Sequence, residues 1–161
     1  MRAILPIIVL CSIFAIAQKK KDTSIMEPIR NLFMAMEKGD SAHLRSAFFT
    51  DVTLITVLEK DGKFNLRKEG LADFLKAVAS PHPDTWFEPI WSVKVQQEGN
   101  FAQVWASYAF YAGTTFSHCG IDTFQLLKTE GGWKIFYLAD TRKKIGCNVP
   151  KDIAAKYSNT Q

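Results

Sequence analysis

No stretch of this 161-residue chain reaches the roughly 20 consecutive apolar residues that a membrane-crossing helix needs, and the longest apolar run, from Ala3 to Ala17, is broken by Pro6 and Ser12. Histidine is scarce: the three residues, His43, His82 and His118, lack the spacing of zinc ligands, so no metal is expected. The chain contains no glycine-rich phosphate loop, no G-x-G-x-x-G after a strand and no G-x-S-x-G elbow, which removes the common nucleotide, dinucleotide and serine-hydrolase chemistries and leaves no cofactor to expect. Repeats and low-complexity linkers are also missing. Charge of one sign is not in large excess, at 20 Lys plus Arg against 16 Asp plus Glu, and Arg142-Lys143-Lys144 reads as a solvated strand end rather than a nucleic-acid contact. What remains is the make-up of one ordinary globular domain, 47% hydrophobic and 12% aromatic.

The N-terminus has its own logic. One positive charge at Arg2, the apolar run and the closing Ala15-Ile16-Ala17 read as a secretory signal peptide over residues 1–17, cleaved before Gln18. The expected location is periplasmic or secreted, with no stable membrane insertion after cleavage. Cys11 would leave with the leader. Cys119 and Cys147 would remain in a compartment that permits disulfides, either bonded to each other or as free, partly buried thiols.

Along the rest of the chain, Ser24 and Glu27 have capping-box spacing, and Ile25, Ile29, Leu32, Phe33 and Met36 recur at helical intervals up to Gly39. A second short helix is expected from Asp40 or Ser41 through Leu44, Ala47 and Phe48. Val52 to Leu58, rich in β-branched residues, turns at Asp61-Gly62 into a short strand over Phe64 to Leu66. Lys68 to Ala79 reads as a third helix that Pro81 and Pro83 forbid to continue. From Trp86 onward the period becomes two. Strands are expected from Phe87 to Gln97, Phe101 to Tyr111, Phe116 to Lys128 and Trp133 to Arg142, forming an antiparallel meander with glycine-containing turns. Pro150 opens a final short helix through Ile153, Ala154 and Tyr157, with Ser158 to Gln161 frayed. The class is α+β, organised as a domain over 18–142 and a C-terminal tail over 143–161.

That order of elements, together with Ser107-Tyr108-Ala109-Phe110-Tyr111, the run Ser117-His118-Cys119-Gly120-Ile121-Asp122-Thr123-Phe124-Gln125-Leu126, Gly132-Trp133-Lys134-Ile135 and Asp140-Thr141-Arg142, resembles the nuclear transport factor 2-like superfamily. It is most similar to the exported bacterial subgroup described as "putative lumazine-binding". The resemblance implies a cone: a strongly bent antiparallel sheet wrapped around about three helices, with a pocket at the open end. It does not by itself imply a ligand, because this fold carries several chemistries and many members without any known one.

His118, Gly120 and Asp122 alternate along one strand, so they share a face with Phe124 and Leu126. Burial there would raise the pKa of Asp122 and lower that of His118, the usual route to an acid or base near neutral pH. The bland alternative is that Asp122 pairs with Arg142 and His118 is a satisfied strand residue. Register is the open variable, since a slip of one residue exchanges faces. Either Asp140 and Arg142 or Ala139 and Thr141 accompany Asp122; on the preceding strand it is either Trp105, Ser107, Ala109 and Tyr111 or Val104, Ala106, Tyr108 and Phe110. The candidate ligand-binding residues are Tyr108, Trp105, Phe110, Phe124, Asp140 and Arg142. Three functions compete: binding of a small planar or apolar organic molecule, a cofactor-independent lyase or isomerase with Asp122 as base and His118 or Tyr108 as proton donor, and a homodimerising module that uses its outer sheet face.

Overall fold

The computed structural model describes residues 23–60 and 62–158; the expected leader, Asp61 of the expected hairpin turn and residues 159–161 lie outside them. A 3₁₀ turn, Thr23–Met26, leads into α1 (Glu27–Lys38). Met26 rather than Ser24 occupies the cap position, with no side-chain hydrogen bond, and Pro28 sits in the first turn, where a missing N–H costs nothing. Ile29, Leu32, Ala35 and Met36 form the buried stripe of α1, and Gly39, at φ 66°, closes it.

The Asp40 carboxylate accepts from the His43 backbone N–H at 2.9 Å and starts α2 (Ser41–Ser46). This helix stops short of the expected Phe48, because the Ile135 backbone N–H donates to the Ala47 carbonyl and Phe48 pairs with Ile135. Sheet pairing captures the chain there and opens β1 (Phe48–Lys60), four residues earlier than expected. The same competition shortens the third helix. Arg67 and Glu69 pair with Thr56 and Leu54, so β2 (Lys63–Glu69) claims the residues assigned to the helix start, and α3 covers only Leu71–Ala79. Ser80, which precedes Pro81, is extended, as sterics before proline require.

The first strand of the expected meander is broken in two, β3 (Trp86–Phe87) and β4 (Ile90–Glu98), because Pro89 has no N–H to give a ladder. Then follow β5 (Phe101–Ala112), β6 (Thr115–Thr129), β7 (Gly132–Arg142) and α4 (Lys151–Ser158), which includes the Ser158 expected to be frayed. The sheet order is β2-β1-β7-β6-β5-β3, with β4 also on β5. All pairings are antiparallel except β1 with β7, which is parallel. The hairpin thus joins the meander through its last strand, after the long crossover that a parallel pair needs.

One face of this curved, open sheet holds the main core: α1 packs Ile29 and Leu32 into a cluster with Val104, Phe124, Leu126 and Ile135. The other face is covered at one end by the chain's own tail. Cys147 is bonded to Cys119 with 5.7 Å between Cα atoms, so the thiols are not free. Tyr157 of α4 stacks on Tyr111 with 5.5 Å between ring centres and tilts against Phe87 at 5.1 Å.

Candidate functional site

Register settles which side chains meet. Ala106 pairs with Asp122 and Asp122 with Asp140, while Tyr108 and Phe110 oppose Gly120 and His118. Of the alternatives open to the sequence, the set with Tyr108 and Phe110, together with Asp140 and Arg142, shares the concave face with Asp122. On the far side of β7, Thr56 and Leu58 of β1 oppose Asp140 and Arg142. Between this face and the helices lies a cavity of about 440 Å³. Leu32, Met36, Phe74, Trp86, Phe110 and Leu138 make its apolar walls; Thr56, Glu88, Tyr108, His118, Asp122, Asp140 and Arg142 make a polar wall, with Arg67 and Glu69 contributed by β2.

The polar wall has two unlike halves. In the first, Asp140 accepts from the Thr56 hydroxyl at 2.7 Å, from the Tyr108 hydroxyl at 3.2 Å and from Arg142 Nε at 2.6 Å in an ion pair. The Tyr108 hydroxyl also reaches the Thr141 carbonyl at 2.9 Å, and Arg142 Nη2 donates to Thr56 Oγ1 at 3.3 Å. Burial, then the charge of Asp140, push the Tyr108 phenol far above its ordinary range, so it stays protonated and donating. Gly120 makes this packing achievable: a Cβ at that position would lie 1.7 Å from the Thr141 carbonyl oxygen. The free Thr141 hydroxyl side is used as well, accepting from the Ile121 N–H at 3.0 Å.

The second half is Asp122 beside Glu88. Asp122 is 2% exposed, and among the described residues no donor group reaches its Oδ2. Its neighbour in the cavity wall is the Glu88 carboxyl, whose negative charge favours the protonated form of Asp122. Burial first, then Glu88 and Asp140, hold the Asp122 carboxyl well above the usual range. Burial first, then Asp140, push Glu88 up to about 8. His118 goes the other way: burial, then the nearby Arg142, bring it down to about 4, so at neutral pH it is an uncharged ring. It stacks on Phe110 with 5.2 Å between centres, its Nδ1 lying 3.0 Å from Ser117 Oγ.

A family model described as "Putative lumazine-binding" matches residues 20–137, most of the chain. The chain belongs to this family. No curated protein matches the chain. Among solved structures, a nuclear transport factor 2-like protein of unknown function from Shewanella baltica is 21% identical, with a TM-score of 0.57 over 75% of this chain and 92% of that one. A cystatin-like-fold member of the same superfamily from Novosphingobium aromaticivorans gives 16% identity and a TM-score of 0.60 over 82% and 85%. A protein from Streptomyces avermitilis described as a "putative dehydratase" gives 17% and 0.59 over 75% and 94%. These likenesses show the nuclear transport factor 2-like fold.

In this member of the "putative lumazine-binding" family, the structure brings together six of the candidate residues: His118, Asp122, Tyr108, Phe110, Asp140 and Arg142. Trp105 is not among them. It alternates to the outer face, half exposed beside Lys94, Gln96 and Gln103. Phe124 points inward but is spent on the core, 6.2 Å edge-to-face from Phe33. The alternative in which Asp122 pairs with Arg142 is not realised, because Arg142 pairs with Asp140. Two members of the polar wall, Glu88 and Thr56, escaped the sequence reading. For Glu88 a signal existed: an acid immediately before a proline inside a strand pattern marks a ladder break, and such breaks re-aim side chains.

Proposed function

We propose that the chain binds a small organic molecule in this cavity, and that it does so outside the cytoplasm after cleavage before Gln18. The observation that carries the first part is an open space of about 440 Å³ with aromatic walls at one side and a buried, donor-less Asp122 at the other. Ligand pockets have this composition, mostly apolar surface with a few placed polar groups. The family's description, "Putative lumazine-binding", is consistent with a small planar ligand. The bonded Cys119–Cys147 pair supports the second part, because such bonds persist in oxidising compartments. Thermal shift and tryptophan fluorescence against a metabolite panel test the binding. A ligand should stabilise the wild type and the outer-face variant Trp105→Ala alike, and Phe110→Ala should weaken its effect; equal effects in both variants would remove the cavity from the argument.

Two carboxyls with raised proton affinity in one cavity wall, Glu88 and Asp122, favour a second reading, an acid–base lyase or isomerase. One carboxyl holds a proton while the other offers lone pairs, so an acid and a base stand side by side, and the Streptomyces avermitilis relative is described as a "putative dehydratase". His118, neutral, and Tyr108, donating to Asp140 and the Thr141 carbonyl, are poorer proton donors than the carboxyl pair. This reading predicts that Asp122→Asn abolishes turnover of a bound substrate while ligand binding persists.

A further inference from the structure

The two halves of the polar wall differ in what they still lack. In the first, donors and acceptors are matched: the hydroxyls of Thr56 and Tyr108 and Nε and Nη2 of Arg142 are turned to Asp140, the Thr141 carbonyl and one another. In the second, the Glu88 and Asp122 carboxyls both line the cavity, no donor among the described residues reaches Asp122 Oδ2, and among the described residues no lysine and no arginine besides Arg67 and Arg142 lines it. The interior wall therefore carries three acids, Glu88, Asp122 and Asp140, against one cation, Arg142, which Asp140 already neutralises. His118 supplies no charge, since burial and Arg142 keep it neutral. At the β2 side, Arg67 and Glu69 add one charge of each sign. Among the described residues no group of three His, Cys, Asp or Glu side chains is arranged to hold a metal ion.

We infer that the cavity takes an organic cation, an aryl-alkyl amine in class, with its charged nitrogen against Glu88 and Asp122 and its ring against Trp86 and Phe110. This rests on reading the cavity as a binding site. An ammonium brings several donors on one atom to a wall that has acceptors left over, and a charge-assisted hydrogen bond to a buried carboxylate is among the stronger ones available. Trp86 and Phe110, set edge-to-face 5.7 Å apart, offer aromatic surface against which the ligand's ring packs. Arrival of the cation favours the ionised carboxyls over their protonated forms, so binding and proton release are linked. Well below the value of about 8 at which Glu88 ionises, the ligand competes with a proton, and each pH unit changes affinity by about tenfold.

The test is isothermal titration at pH 6, 7 and 8, in two buffers of different ionisation enthalpy, of 2-phenylethylamine and tryptamine against the matched neutral alcohols 2-phenylethanol and tryptophol. The expected result is that the amines bind about tenfold or more tightly than the alcohols, release close to one proton at pH 7, and gain about tenfold in affinity from pH 6 to 7 and about fivefold from pH 7 to 8. Glu88→Gln and Asp122→Asn should each erase the preference for amines while the variants still unfold cooperatively. Neutral N-phenyl-1-naphthylamine serves as the control for occupancy. If it binds while the amines do not, or if the alcohols bind as tightly as the amines with no proton release, the cation is overturned and the binding site stands. If none of these molecules binds, the binding site falls and the cation with it.

Discussion

Glu88 makes the stability of the fold depend on pH in a direction opposite to that of most surface carboxylates, and Glu88→Gln isolates the effect. A carboxyl whose pKa is raised on folding stabilises fully below its unfolded value of 4.5, and that contribution is lost as pH rises toward its folded value of about 8. Across the whole window the loss is on the order of 5 kcal/mol at 1.36 kcal/mol per pH unit, a large share of a domain's total stability. His118 works in the other sense: its folded value of about 4 lies below 6.5, so its contribution is complete above 6.5 and disappears as pH falls toward 4. The two oppose each other between 4.5 and 6.5. Above 6.5 His118 is silent, and the interval from 6.5 to 8 reports the carboxyl pair.

In that interval the wild type should lose about 2 kcal/mol from Glu88, whose folded value is about 8, and more to the extent that Asp122 also ionises. For a chain of this size that is a fall of roughly 4–8 °C in Tm. Glu88→Gln should flatten the slope and be the more stable protein at pH 8, since an amide has no proton to lose and can donate to Asp122. Urea unfolding at pH 5, 6.5 and 8, with the disulfide intact, measures it. Equal slopes for the two proteins above pH 6.5, or a wild type that gains stability over that interval, would refute the argument that burial keeps Glu88 protonated in the folded state.

Gly120→Ala should cost more than about 3 kcal/mol, or prevent folding, because its Cβ would stand 1.7 Å from the Thr141 carbonyl oxygen, where β7 backbone and not a mobile side chain must yield; urea midpoints relative to an Ala109→Gly control measure it. Cys147→Ser should cost about 3–4 kcal/mol by the loop-closure entropy of a bridge between residues 28 apart, and should raise hydrogen exchange in α4 far more than in α1, since the strap over Tyr111 loses its tether.

The pattern of residues carries a good deal of this. Strict alternation from Phe101 to Arg142 was enough to specify three long strands and their turns, because each has one buried face and turn chemistry at its ends. It was also enough to place His118 and Asp122 on a common inward face. Elements at the margins were legible only in outline. Phe48 and residues 67–69 have local preferences compatible with helix or strand, and pairing with β7 or β1 outweighed a propensity worth tenths of a kcal/mol per residue.

A mixed α+β domain with a polar pair set among aromatics follows from short-range periodicity alone. The register between strands was decided by tertiary structure alone. A shift by one residue leaves every local preference unchanged, yet it sends Trp105 outward, brings Tyr108 and Phe110 in, and gives Arg142 to Asp140 rather than to Asp122. The meeting of Glu88 with Asp122 belongs to the same category. They are 34 positions apart, and the raised proton affinity of both carboxyls arises only once the fold buries them in one cavity wall.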